Sequence, residues 1–347
     1  MARRLTAAER KIADDILAHT LDLNRLDAHM RNNALRILRD LETQLKRKLA
    51  SGGDLTDFSK AATDRLLLDI KNITDKYYDD LNRLVTSDLQ GVAGAQGEVI
   101  RTTLAGVGYG PAIAPATHFA TALTDVLIQG APSAEWWARQ SADTAFKFSN
   151  LVRQGIVQGD TNQKIIRGVA DIMTTSRANV AALVQTSVQT VANESRLNTF
   201  KQNADIVKGV MQLSTLDSHT TDICMAYSGA EWNLDEEPIG DNKLPFNGGP
   251  PRHWNCRSVL IPITKSFAEL GMDTPEMSST QRASTDGPIE ANTTFASFLD
   301  RKGEEFQNEI LGAGRAEMWR EGKITLPQLL DQRGNPLTLA ELKAKYG

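Results

Sequence analysis

Cys224 and the run PPRHWNCR at 250–257 hold the residues of this chain best suited to bind a metal or move a proton. The chain has only two cysteines and five histidines in 347 residues. Both cysteines and His253 fall in these two stretches, with His219 just ahead of the first. Thiolate and imidazole are the ligands zinc prefers, and His253-x-x-Cys256 is a chelating spacing. Cys224, His253, Cys256 and either His219 or Asp217 would complete a tetrahedral structural site. Three other readings stay open. The side chains can be a buried, hydrogen-bonded structural clip, the foremost expectation on the residues alone. Cys224 and Cys256 can form a disulfide, which a reducing compartment disfavours. Either cysteine can act as a nucleophile with His253 as base, although no third group marks a triad.

For the two stretches to meet, the elements bearing them must pair. Val207 to Leu216 is short and partly β-branched, and Ser258 to Ile263 is a second apolar run. Pairing these strands brings 217–224 beside 250–257 and leaves the acidic GAEWNLDEEPIGD as a long connection. Pro250 and Pro251 fix φ and present His253 and Cys256 on a stiff, non-helical segment. Arg257 can pair with Asp217 and close the loop; the alternative is an arginine facing DNA or another subunit.

Composition narrows the partners. A net charge of −4 and a pI near 5.8 argue against a nucleic-acid coat, which needs clustered Lys and Arg. Residues 1–50 nevertheless carry eight arginines and three lysines against seven acids. A solvated helix face accounts for this more simply than a phosphate contact. Two cysteines cannot make a disulfide framework, and MARRLTAAERK lacks the apolar core of a secretory signal, so synthesis in a reducing cytoplasm is expected. No apolar run reaches the roughly 18 residues of a membrane span; the nearest, 104–131, is broken by Pro111, Pro115, His118 and Asp125.

Helical periodicity dominates the rest. Thr6 with Glu9 makes a capping box ahead of a stripe through Ile12, Ile16, Leu23, Leu26 and Met30. The stripe continues through Ile37, Leu41 and Leu45 to the Ser51-Gly52-Gly53-Asp54 break, where Asp54 can cap the next helix. Leu66, Ile70, Ile73, Tyr77, Leu81 and Leu84 then lay a coiled-coil-like seam, so the two arms should pair as a hairpin. LAGVGYGPAIAPA at 104–116 suits a hinge. Beyond it one helix holds Trp136 to Val152, another holds Ile165 to Ile172, and a third runs from Arg177 to Asn203. The polar stretch Thr274 to Ala291 reads as an extended arm. Short helices follow it, the last opened by a Thr338–Glu341 capping box.

Leu216-Asp217-x-His219-Thr220-Thr221-x-x-Cys224, followed by Gly229 and then Pro250-Pro251-x-His253-x-Asn255-Cys256-Arg257, resembles the pattern of the phage Mu F-like minor head proteins. That pattern is similar to L-D-x-R-T-x-x-x-C and P-P-x-H-x-N-C-R-C. Glu194 and Arg196 resemble the family's polar pair, and Phe306 to Gly312 and Leu337 to Leu342 look like the tail of its members. His219 stands where the family has arginine, and Ser258 where it has the closing cysteine. The resemblance implies a low-copy virion protein at the portal vertex, made in the bacterial cytoplasm, acting in head assembly, DNA packaging or delivery without enzymatic activity. Its implied partners are the portal protein and the major capsid protein, with genomic DNA or a second copy of the hairpin as further contacts and no membrane in the assembled particle.

The expected fold is mainly α with a small α+β domain. Its parts are a helical hairpin at 1–103, a hinge and helical linker at 104–174, a Mu F-like domain at 175–270, and an extended arm with docking helices at 271–347. Two rival functions are weighed beside it. One is a metal-dependent hydrolase or nuclease centred on Cys224, His253 and Cys256, with Asn255 supporting the ion and Asp217 or Glu231 as base. The other is an ejected membrane- or DNA-associated protein, hinted at by 104–131.

Overall fold

The computed structural model describes residues 6–51, 53, 55, 58–109, 126–266, 269–270, 281–284, 287–290 and 293–347. Asp54, most of the 104–131 stretch and most of the 274–291 arm lie outside the described residues. The chain is mainly helical, with a small antiparallel sheet in its C-terminal part. It divides into two compact units: Met1–Asp22, Ala93–Phe119 and Ala192–Gly347 make one, and Leu23–Val92 with Ala120–Val191 make the other. Helices α1 (Ala7–Ala50), α2 (Lys60–Leu104) and α4 (Asn162–Gln202) contribute residues to both.

In the unit made of Leu23–Val92 and Ala120–Val191, which is mainly helical, α1 and α2 run antiparallel. Lys48 reaches Asp69 at 2.6 Å, and His29 and Asp88 are electrostatic neighbours further along. The buried seam of α2 includes Leu66, Ile70, Thr74, Tyr78, Leu81 and Val85. It lies one residue round from the expected Ile73, Tyr77 and Leu84, which are half-buried. The cause is polar satisfaction. Thr74 returns its hydroxyl to the Ile70 carbonyl at 2.8 Å. Tyr78 joins Thr144 on α3 (Ser133–Gln158) at 3.0 Å, and Thr144 meets Ser176 on α4 at 3.1 Å. A chain of hydroxyls can therefore occupy a seam that hydropathy alone assigns to aliphatics. A two-residue hairpin of β1 (Leu127–Ile128) and β2 (Ala131–Pro132) precedes α3 and accepts the Trp136 indole N–H on its Ile128 carbonyl at 2.6 Å.

Helix α4 corrects the sequence reading. The Ile165–Ile172 and Arg177–Asn203 segments form one continuous helix. In the intervening Thr-Thr-Ser run, Thr174 and Ser176 satisfy their hydroxyls on the Ala170 and Ile172 carbonyls one turn back, so the run is accommodated within the helix. Glu194 and Arg196, two residues apart on this helix, lie in different surroundings. Arg196 is fully buried against Gln96 Oε1 at 3.0 Å, whereas Glu194 is partly exposed.

The second unit holds the sheet, in the order β4 (Glu231–Asn233), β3 (Val207–Leu213), β5 (Val259–Thr264), antiparallel throughout. Pairing of β3 with β5 ends at Leu213 opposite Val259. Pro262 fits because β5 is an edge strand, where a missing N–H costs no ladder bond. Gly209 lies so close to β4 that a Cβ would stand 2.3 Å from the Trp232 carbonyl oxygen. The start of α1 is anchored here. The Thr6–Glu9 capping box forms, with Thr6 N–H to Glu9 at 2.8 Å. The other oxygen of buried Glu9 accepts the Thr264 N–H of β5 at 3.0 Å. After the β6–β7 hairpin (Gln281–Ser284, Gly287–Glu290), short helices α6 (Phe295–Asp300), α7 (Glu304–Leu311), α8 (Ala313–Arg320) and α9 (Leu339–Tyr346) dock. They form a second apolar cluster that includes Leu216 and Met225, and α9 carries the Thr338–Glu341 box.

Two outcomes follow. Gly209→Ala forces its methyl into the β4 backbone and should lower stability by about 1–3 kcal/mol in a denaturant titration; an unchanged midpoint contradicts this close approach. Glu42 is half-buried and takes hydrogen bonds from Lys46 and Arg177. Burial raises its pKa, but these bonds outweigh it and hold the carboxyl below its usual value. Its contribution is therefore present above the unfolded-state pKa of about 4.3 and is lost as pH falls through the lower folded value. Glu42→Gln should be less stable than the native chain at pH 7, with the gap closing below about pH 4.

Candidate functional site

The end of β3 and the start of β5 lie side by side, so the segments continuing from them are held together. Asp217, just beyond β3, accepts both guanidinium arms of Arg257 at 2.6 and 2.7 Å. The same carboxylate takes the His219 N–H at 3.0 Å, fixing the turn that leads into α5 (Asp222–Tyr227). Burial opposes ionisation of Asp217, but Arg257 and these hydrogen bonds outweigh it and lower the pKa. Thr220 donates to the Thr215 carbonyl at 2.6 Å, tightening the turn. Thr221 caps α5, and Cys224 lies in its first turn, buried.

On the other side, Pro250 and Pro251 deliver the chain into a turn closed by the Cys256 N–H on the His253 carbonyl at 3.2 Å. Asn255 sits in this turn with φ of 60°, a region asparagine tolerates better than most non-glycine residues. The turn brings His253 and Cys256 to one side. Cys224 Sγ lies 3.1 Å from His253 Nε2 and 3.5 Å from Cys256 Sγ. The three ligand atoms fall within 4.8 Å of one another, and no other such trio occurs among the described residues. Both cysteines are free thiols.

The protonation states follow from the contacts. His253 Nδ1 lies 2.8 Å from the Trp254 carbonyl, which can only accept, so Nδ1 carries a hydrogen. In the neutral ring Nε2 is then a free lone pair, directed at Cys224 Sγ and at Thr221 Oγ1, 2.9 Å away. Cys224 keeps the proton it shares with Cys256. That contact and burial push its thiol well up. The same contact favours the thiolate of Cys256 and, despite burial and with help from His253, pulls its pKa well down. The sulfur of Cys256 in turn raises the pKa of His253, against the effect of burial.

His219 stands apart from the trio. It is exposed and lines a cavity of about 20 Å³ together with Thr221, Asn255 and Ser258, beside Cys224 and His253. That volume accommodates one water-sized occupant. Asp217 is not part of its wall. Glu231 belongs to β4 and lines a separate, larger cavity near Ile239 and Leu326. Composition alone did not single out Arg252. Its guanidinium is buried 3.4 Å from the Tyr227 ring centroid and donates to Gln212 Oε1 at 2.7 Å and to the Phe246 carbonyl at 3.1 Å. Burial lowers its pKa to about 10. An arginine inside an otherwise motif-like run is the signal that could have pointed to it.

Residues 147–261, which contain the trio, the paired strands and the Asp217–Arg257 bridge, match the family described as Phage Mu protein F like protein. That match covers about a third of the chain's 347 residues. No curated protein and no solved structure matches it. The Mu F-like match begins within α3 and ends within β5. No helix among the described residues is long and apolar enough to cross a membrane.

Removing the charge of Asp217 leaves Arg257 half-buried without its anion. Asp217→Asn should cost about 1–2 kcal/mol, less than a fully buried pair because both partners retain some solvent. A denaturant midpoint equal to that of the native chain rules out a structural role for the bridge.

Proposed function

We propose that this Mu F-like protein is a minor head component acting at the portal vertex, in head assembly, DNA packaging or DNA delivery. The observation that carries this reading is the family match across 147–261, which coincides with the site and its supporting strands. Its contribution is binding, not bond-breaking. The portal protein and the major capsid protein are its partners, and the virion head is its location. The long helices support a docking role, since they present extended faces of mixed charge such as the Lys71–Asp75 and Lys147–Asp143 pairs. Contact with genomic DNA would be weak and dependent on salt, through the arginines of α1.

The hydrolase reading draws little support from the geometry. A metal-activated water needs a free base within reach, but the Asp217 carboxylate is held by both arms of Arg257 and Glu231 lines another cavity. The test is genetic and compositional together. In phage carrying this gene, mass spectrometry of purified virions should find the protein at few copies per particle. Deleting the gene should leave capsid shells but lower infectivity or DNA content at least about tenfold, the size expected of one decade in a binding-dependent step. Absence of the protein from purified virions, or full infectivity without the gene, refutes the proposal.

A further inference from the structure

We infer that Cys224, Cys256, His253 and His219 form a closed, four-ligand structural zinc site that staples the end of β3 to the start of β5. The inference does not depend on the role in head assembly. Three ligands are already in place. Zinc–sulfur bonds of about 2.3 Å and zinc–nitrogen bonds of about 2.0 Å make a tetrahedron with sulfurs about 3.8 Å apart and a sulfur–nitrogen edge of about 3.6 Å. The chain holds Cys224 Sγ and Cys256 Sγ at 3.5 Å and Cys224 Sγ and His253 Nε2 at 3.1 Å. The third edge, Cys256 Sγ to His253 Nε2, lies within 4.8 Å, so small side-chain adjustments seat the ion. A disulfide would instead need the sulfurs to close to about 2.05 Å.

The surroundings of the trio point to the same ligand. The Trp254 carbonyl holds Nδ1–H of His253, the outer contact that fixes the tautomer of a metal-binding imidazole. The cavity beside Cys224 and His253 has room for one small occupant, too little for an organic substrate. Apart from Cys224 and His253 themselves, His219 is the only residue in its wall of a type that binds zinc readily. Asp217, the other candidate for the fourth position, is held by Arg257 and does not face the cavity. A turn of the His219 side chain into this space completes the set. On binding, the one proton that Cys224 holds against Cys256 is released to solvent, the two imidazoles give ring lone pairs, and two thiolates balance the charge of the ion. Two thiolates and two imidazoles suit zinc and leave no open coordination position for catalysis.

The test uses the full-length chain, produced in zinc-supplemented medium and purified without chelators or a histidine tag. Elemental analysis should find one zinc per chain. Chelator titration should show Cys224→Ser, Cys256→Ser, His253→Ala and His219→Ala each binding zinc at least about tenfold more weakly. Ser258→Ala, which changes the same cavity wall without removing a ligand, should bind as the native chain does. Circular dichroism identifies any variant that fails to fold. For those, the cobalt-substituted native protein supplies the readout, a thiolate-to-metal charge-transfer band. Substoichiometric zinc after loading, iron or copper in its place, a native cobalt form without that band, or a Cys224–Cys256 disulfide trapped by alkylation overturns the site. A folded His219→Ala that binds with native affinity overturns the fourth ligand.

Discussion

The antiparallel pairing of β3 with β5 is the constraint on which the site depends. Leu213 opposite Val259 sets where the two strands stop pairing. Everything after β3 and before β5 therefore starts from neighbouring points. Two short turns complete the convergence, one held by Asp217 and Thr220 and the other by the Cys256–His253 backbone bond. A one-residue slip between the strands would turn every side chain on β5 to the opposite face. The register is pinned from outside the sheet, by Asn193 Oδ1 on the Leu260 N–H at 3.0 Å and by Glu9 on the Thr264 N–H.

The long connection between β4 and β5 is held by aromatic and backbone contacts rather than by regular structure. The Trp232 indole donates to the Leu244 carbonyl at 2.9 Å, and the Tyr227 hydroxyl donates to the Pro245 carbonyl at 3.0 Å. Trp232 packs against Tyr227 and Phe246 with ring centroids 5.9 and 5.4 Å apart, and the Arg252 guanidinium lies over Tyr227. An acidic loop is thus fixed by its apolar members and by Arg252, and its acidic residues Asp235, Glu236, Glu237 and Asp241 remain at the surface.

The sequence was most legible where chemistry and spacing are local. Thr6 with Glu9 and Thr338 with Glu341 place their helix starts because a capping box joins residues three apart. The His253-x-x-Cys256 spacing and the two β-branched runs identified the site segments and their pairing. The rest depended on contacts distant in sequence. Strand β4 has only three residues, too few to show a period. The buried face of α2 was misplaced because Thr74 and Tyr78 have partners invisible to hydropathy. The Ile165–Ile172 and Arg177–Asn203 segments read as two helices because the polar residues between them, Thr174 to Ser176, have hydroxyls that can bond either within a helix or outside one. Cys224 and its neighbours were identifiable as ligand types, but that His219 lines the cavity and Asp217 does not is a property of the fold.

The carboxylate of Glu9, in the first turn of α1, holds Thr264, the last residue of β5, which lies 255 positions further along the chain. During synthesis on the ribosome that turn emerges early and must wait, unsatisfied, until β5 has left the exit tunnel. The mainly helical unit, whose last segment ends at Val191, can be completed first, so the order of translation favours helix packing before the three-stranded sheet closes.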